Sequence, residues 1–297
     1  MMPDELFNWL KANKKKAIII GCALVIFEGI FLVTLFSESK TSRALELHFF
    51  DVGQGDSEFV VLPGGARMLI DGGPANGRVM NELARTMSQG ERYIDLVLMT
   101  HPQLDHFGGL IDVAKQYTIG AFLWSGRGSN APAFQELLNE LRNNHTQMIS
   151  LGAGDSIRSN ESNITILSPT PAFLHDTDLN NSTVVAEVMA ANTSALFVGD
   201  IGTEVEEYLT HTFNMRADIL KVPHHGSRFS SSESFLREVH PKVAIIEVGK
   251  NSYGHPTPEV LSRLSSVGAR ILRTDLNGAA EIVSEGVRNG IRLIVEK

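Results

Sequence analysis

Thr100-His101-Pro102-Gln103-Leu104-Asp105-His106 follows the apolar segment Ile94-Asp95-Leu96-Val97-Leu98-Met99 and runs on into Phe107-Gly108-Gly109. A short apolar run closed by a polar turn reads as a buried strand. Two imidazoles and a carboxylate then stand together at its end. Histidine nitrogens suit zinc-like ions, and an aspartate adds a hard oxygen for a second ion or a water. The alternative is a strand-to-helix turn in which Asp105 merely caps the next helix.

Four more segments shift that balance. Leu69-Ile70-Asp71-Gly72-Gly73 and Leu196-Phe197-Val198-Gly199-Asp200 each end an apolar strand in an aspartate. Ile219-Leu220-Lys221-Val222-Pro223-His224-His225-Gly226-Ser227 ends one in two histidines, and Tyr253-Gly254-His255-Pro256 follows another, Val243 to Val248. One such aspartate is ordinarily a cap or turn former. Repetition at successive strand ends fits the crevice where α/β sheets present ligands.

Strands are expected over Leu45 to Phe50, Glu58 to Leu62 and Arg67 to Ile70, with Pro63-Gly64-Gly65 as a hairpin turn. A helix over Arg78 to Met87 leads to the strand ending at Met99. The alternation recurs with strands at Val184 to Met189, Ala195 to Val198 and Ile219 to Val222, and helices at Glu204 to Thr210 and from Ser231 to Val239. After the strand Val243 to Val248 come a helix, Pro258 to Ser266, and three short strands. Two strand–helix halves predict an α/β fold with two sheets face to face and helices outside. Gly126 to Asn130 and Pro169 to Asn181 are the expected mobile rim loops.

In order along the chain, Phe50-Asp51-Val52-Gly53-Gln54-Gly55-Asp56-Ser57, Asp71-Gly72-Gly73, the His101 to His106 run, Asn180-Asn181-Ser182, Gly199-Asp200, His224-His225-Gly226-Ser227 and Tyr253-Gly254-His255-Pro256 resemble the metallo-β-lactamase superfamily. Within it, the pattern resembles the standalone hydrolase domain of the ComEC/Rec2 competence proteins and covers about Leu45 to the end. The resemblance implies a four-layer αβ/βα sandwich over residues 44–297. It also implies a bound divalent metal, one or two ions, with zinc expected first and manganese as the alternative.

Roles follow from the resemblance residue by residue. His101 belongs to a first metal site, Asp105 and His106 to a second, and Asp200 bridges them. His225 or His224 ligates the second site, while its neighbour faces substrate or fills the first. A bridged ion pair lowers the pKa of a bound water and clamps the attacked group. Asp71 orients a ligand imidazole. Two departures matter: Gln103 stands where relatives carry His or Asp, and Asn180-Asn181-Ser182 lacks the superfamily's further His. Both weaken the first site and favour one ion, or a harder one. Asp51, Gln54 and Asp56 either line the site or flank turns shaped by Gly53 and Gly55. Gln103 and Asn181 are placed beside the metal or substrate. His255 offers an imidazole to phosphate or as a proton donor, so Asp105, Asp200 and His255 are the candidate catalytic groups. Lys221 is expected to snorkel from its strand. His48, His145, His175, His211 and His240 read as surface or packing residues.

Lys11, Lys14, Lys15 and Lys16 precede Ala17 to Phe36, an apolar stretch broken only by Glu28. Twenty helical residues span about 30 Å, the thickness of a bilayer core. No small-residue cleavage site follows, so the chain is expected to have a cytoplasmic N-terminus (1–16), a single-pass transmembrane anchor (17–36), a linker (37–43) and an extracytoplasmic domain at the cell membrane. Ile19-Ile20-Gly21-Cys22 has too few apolar residues before it for a lipoprotein box. Cys22 is the only cysteine, which excludes disulfides, Cys-ligated zinc and thiol nucleophiles from the domain.

Net charge is −8, which disfavours a dedicated high-affinity DNA surface but leaves a metal-centred nuclease open. The expected activity is metal-dependent phosphodiester hydrolysis, with single-stranded DNA as leading substrate and a separate DNA-uptake channel as partner. The alternatives are a cell-envelope phosphodiester, such as a choline-phosphate or teichoic-acid linkage, or a non-catalytic partner of such a channel.

Overall fold

The structure, a computed structural model, describes residues 44–284 and 290–296. The expected anchor over 17–36, with the segments on either side of it, lies outside the described residues. Among the described residues, no helix is long and apolar enough to cross a membrane.

β1 (Leu45–Phe49), β2 (Glu58–Val61) and β3 (Arg67–Ile70) pair antiparallel in succession. α1 (Arg78–Thr86) then leads into β4 (Tyr93–Leu98), parallel to β3. α2 (Leu104–Phe107) and α3 (Leu110–Gln116) precede β5 (Thr118–Trp124), and α4 (Pro132–Asn143) precedes β6 (Gln147–Ser150), both strands parallel again.

The second sheet opens with β7 (Ser156–Ser159) and β8 (Ser162–Ser168). After α5 (Pro171–Leu174) and a 3₁₀ turn at Leu179–Ser182 come β9 (Val185–Ala190) and β10 (Thr193–Phe197). α6 (Thr203–Thr212), β11 (Ile219–Lys221), α7 (Glu233–Val239), β12 (Val243–Ile246), α8 (Pro258–Ser266) and β13 (Arg270–Arg273) complete a parallel half. α9 (Thr274–Asn277) carries the chain back to β14 (Ala280–Ser284) and β15 (Ile291–Val295), which extend the first sheet from β1. The strand orders are β15-β14-β1-β2-β3-β4-β5-β6 and β13-β12-β11-β10-β9-β8-β7.

Period-two alternation explains the packing. Leu45, Leu47 and Phe49 of β1 point into the seam between the sheets, where they meet Ile164, Val188, Phe197 and Ile245. Phe49 stacks on Phe197 with ring centroids 6.0 Å apart. Truncating Phe49 to alanine costs about 3–5 kcal/mol on this packing. A separate apolar cluster joins Phe59, Leu69 and Val97 of the first sheet to Val79, Leu83, Phe134 and Leu137 of α1 and α4. A third joins Leu196, Leu220 and Ala244 to Val205, Phe235 and Val260 of α6, α7 and α8. Helices therefore cover the outer faces of two sheets packed face to face, the arrangement predicted for residues 44–297.

Local signals set the helices. Pro132 starts α4, whose buried Phe134, Leu137, Leu138 and Leu141 recur at helical spacing. Ser232 caps α7 by accepting from the Phe235 amide. The rim segment 169–181 departs from expectation. It contains α5 and the start of the 3₁₀ turn, and Arg127 of the other rim loop donates to the carbonyls of Leu174 and Asp176 at 3.3 and 2.9 Å. Those bonds hold the two loops to each other.

Candidate metal centre

β3, β4, β10, β11 and β12 all end on the same edge of the two sheets, so the residues just past them converge. Among the described residues, Asp105, His106, Asp200 and His225 offer ligand atoms all within 4.8 Å of one another. His106 Nε2 lies 3.3 Å from Asp200 Oδ2. His225 Nε2 lies 3.6 Å from both Asp105 Oδ2 and Asp200 Oδ2. His224 Nε2 is 3.9 Å from Asp200 Oδ2, so of the two neighbours His225 sits in the four-residue cluster and His224 at its border.

Each clustered ring is held by its other nitrogen. His106 Nδ1 pairs with Asp71 Oδ2 at 2.8 Å, and His225 Nδ1 with the Glu247 carbonyl at 2.8 Å. Asp71 also accepts from the Thr100 amide and hydroxyl at 2.8 and 2.5 Å. Three site residues, Asp71, His224 and His225, adopt left-handed φ of 53°, 52° and 53°. Such backbone costs about 1–3 kcal/mol per residue and persists where surrounding structure enforces it. Gly55 is required for another reason: a Cβ there would fall 2.2 Å from the Asp105 carbonyl.

The donor set fits a divalent ion. Buried Nε2 atoms of His101, His106 and His225, and Oδ1 of Asp200, lack hydrogen-bond partners. Unsatisfied buried imidazole nitrogens beside carboxylates are costly without a ligand. His101 packs its ring 4.1 Å from that of His106 and bonds its Nδ1 to the Thr100 hydroxyl. Its Nε2 is thus the atom left for an ion.

Charge is strongly coupled here. Burial opposes protonation of His106 and His225, yet Asp200 and Asp56 outweigh it; His106 is held well above its ordinary range and His225 is pushed up to about 10. Burial and the neighbouring His106 push His101 down to about 3. Asp200 is held well below the usual carboxylate range by His225, His106 and Lys221 despite its burial.

Several expected positions fall elsewhere. Of the Asp51, Gln54 and Asp56 trio, only Asp56 reaches the imidazoles, with Oδ1 3.2 Å from His225 Nδ1. Asp51 pairs with Arg78, and Gln54 accepts from the Gly249 amide; both line a neighbouring cleft of about 500 Å³ that includes Lys250. Gln103 turns its amide to Asn180. Asn181 directs its own amide to Asp176 and Glu204, at 3.2 and 3.5 Å, rather than to the ligand cluster. His255 borders the cluster, its ring 5.7 Å from that of His224.

Lys221 does not snorkel. Its side chain is fully buried, its ammonium bonded to Asp56 and to the Gly199 carbonyl at 3.1 Å, and 3.8 Å from Asp200 Oδ1. The two carboxylates supply the compensation that a buried cation requires. Nor is His48 only a surface or packing residue: it forms a half-buried group with Glu46 and Glu281 on the far face of the first sheet. Sequence reading also missed Glu58 and Glu247, which meet beneath Asp56. Burial and the neighbouring Glu247 carboxylate push Glu58 well up, while burial and the Asp56 carboxylate push Glu247 to about 7. Glu247 is a lone acid in an otherwise apolar run and Glu58 opens one, the one signal that marks them.

The profile of the metallo-beta-lactamase superfamily matches residues 51–249. The chain belongs to the metallo-β-lactamase superfamily. Among curated members it is similar to ComE operon protein 3 of Bacillus subtilis, 30% identical over 278 residues that cover 88% of this chain and 35% of that protein. It is also similar to competence protein ComA of Neisseria gonorrhoeae, 29% identical over 87% of this chain and 35% of that protein. The chain therefore spans about a third of the length of these competence relatives. Among solved superfamily folds, the metallo-beta-lactamase fold protein YhfI from Bacillus subtilis aligns with a TM-score of 0.54 at 11% identity, covering 80% of this chain and 99% of that one. Membership places the chain among metal-dependent hydrolases.

Proposed function

We propose that this chain is a membrane-anchored, extracytoplasmic phosphodiesterase that cleaves single-stranded DNA beside an uptake channel. The observation that carries the reading is the convergence of Asp105, His106, Asp200 and His225 in one cluster of ligand atoms, in a chain whose relatives are named competence proteins. These four residues would hold a divalent ion, which would supply Lewis-acid polarisation and acidify a water. Zinc suits the imidazoles, and manganese suits the carboxylate share of the set.

The protein's own groups do the rest. Asp71 and the Glu247 carbonyl fix which nitrogen of His106 and His225 faces the pocket. Lys221 holds Asp56 and balances Asp200. His255, held below its ordinary range by burial and by His224 and His225, is neutral near pH 7 and borders the cluster as a proton acceptor. Residues 17–36 tether the domain on the side away from the lysine cluster.

The test compares the full chain with Asp200→Ala on a single-stranded oligodeoxynucleotide and on bis(p-nitrophenyl) phosphate, with zinc or manganese added. Both substrates should be cut, and the substitution should abolish both activities. Retained activity in Asp200→Ala, or none on either substrate with either metal, contradicts the reading. Cleavage of the small diester but never of DNA points instead to an envelope phosphodiester.

A further inference from the structure

Beside the metal centre lies a cleft of about 360 Å³ bordered by His224, Arg228, Phe229, Tyr253 and His255. Two of its walls are anomalous: Phe229 is 66% exposed and Tyr253 is 73% exposed. Aromatic rings are normally buried or half-buried, and here two stand open on one cleft. They are also fixed. Tyr253 stacks on His255 with ring centroids 5.7 Å apart and planes 29° apart, and His255 meets His224 edge-on at 5.7 Å. A row of rings therefore leads outward from Asp200 to solvent.

Asn251 builds this wall. Its Oδ1 accepts from the amides of Tyr253 and His255, both at 3.1 Å, and its Nδ2 donates to the carbonyls of Gly249 and His255, both at 2.9 Å. Opposite, the Arg228 guanidinium lies 5.0 Å from the centroid of the Phe229 ring. The cleft thus combines flat π faces with a cation and meets the border of the ligand cluster at His224. A choline phosphate could pair its phosphate with Arg228 but offers the rings no flat face to stack on; a phosphate joined to flat bases finds both elements complementary.

We propose that Phe229 and Tyr253 are the ring faces on which bases of a single-stranded nucleic acid stack, with Arg228 on the backbone phosphate between them. The inference rests on the nucleolytic reading above and specifies how the strand is gripped. Stacking on exposed rings tolerates any base sequence and requires a free base face, so bases inside a duplex are poor ligands. It also explains how an acidic chain engages nucleic acid, through one local cation and π faces instead of a basic surface.

The test measures anisotropy of a labelled single-stranded oligothymidylate, and of the same strand made abasic, bound to the full chain with chelator present so that neither is cut. The base-bearing strand should bind roughly tenfold or more tightly than the abasic one. Phe229→Ala and Tyr253→Ala should each lose about tenfold to a hundredfold on the base-bearing strand only, while Phe229→Trp keeps the preference. Equal affinity for both strands in the unaltered chain, or a base preference surviving in the Phe229→Ala/Tyr253→Ala double variant, overturns the proposal. Base preference without cleavage under zinc or manganese would instead remove the nucleolytic reading and leave the stacking subsite standing.

Discussion

Asp71 grips His106: its Oδ2 sits 2.8 Å from the ring's Nδ1, leaving Nε2 to face Asp200 at 3.3 Å. The carboxylate comes from just past β3 and the ring from α2, the short helix that follows β4, its neighbour in one sheet. Replacing Asp71 with Asn should lower metal affinity by about ten- to a hundredfold, because a neutral amide both orients the ring less firmly and leaves it less basic. Competition titration with a chromophoric chelator reads this directly; unchanged affinity would deny Asp71 its positioning role.

Lys221 is the second residue whose partners decide its effect. Lys221→Met strands Asp56 in a dry site and should destabilise the domain by about 3–5 kcal/mol. Adding Asp56→Asn should recover part of that loss, since the two groups form one pair. Urea unfolding of the single and double variants tests it, and strictly additive losses would show that the pair is not coupled.

The imidazole charges predict opposite pH responses with and without metal. In the metal-free protein His225 has its pKa raised from 6.5 to about 10, so its pairing with Asp200 and Asp56 contributes stability fully present below about pH 6.5 and lost as pH rises through 10. Metal binding needs the neutral ring and releases its proton, so the melting-temperature gain from zinc should grow across the same window. Melting with chelator and with zinc between pH 6.5 and about pH 9 compares the two. A zinc gain that shrinks with pH would contradict the assignment of His225 as ligand.

Gln103→Asp should raise metal content per chain. The native amide is committed to Asn180, and a carboxylate beside His101 is a better ligand for a hard or borderline ion. Elemental analysis after dialysis measures it; identical content in both proteins would show that position 103 does not reach the first site.

The sequence disclosed those parts of the site that sit at strand ends. Asp71, His101, Asp200 and His225 each follow an apolar run, so periodicity puts each of them just past the end of a strand, two in each sheet. What it hid are partnerships created when the two sheets face each other. Lys221 and Asp56 are separated by 165 residues, and Ser57 donates to Glu247 across 190. Within its own strand Lys221 looks like a snorkelling cation, because nothing local announces a buried carboxylate opposite. His48 shows the same limit: Glu281 becomes its neighbour only through the β1–β14 register. Asn251, by contrast, makes bonds within four residues, and its turn chemistry was available to a closer local reading.

Anomalous diffraction at the zinc and manganese edges, from crystals of the full chain purified without chelator, tests the central claim most directly. The account predicts a peak bounded by Asp105, His106, Asp200 and His225, with any second ion on the His101 side of Asp200. Absence of any peak there after soaking with either metal, or an ion bound only elsewhere on the molecule, would contradict it.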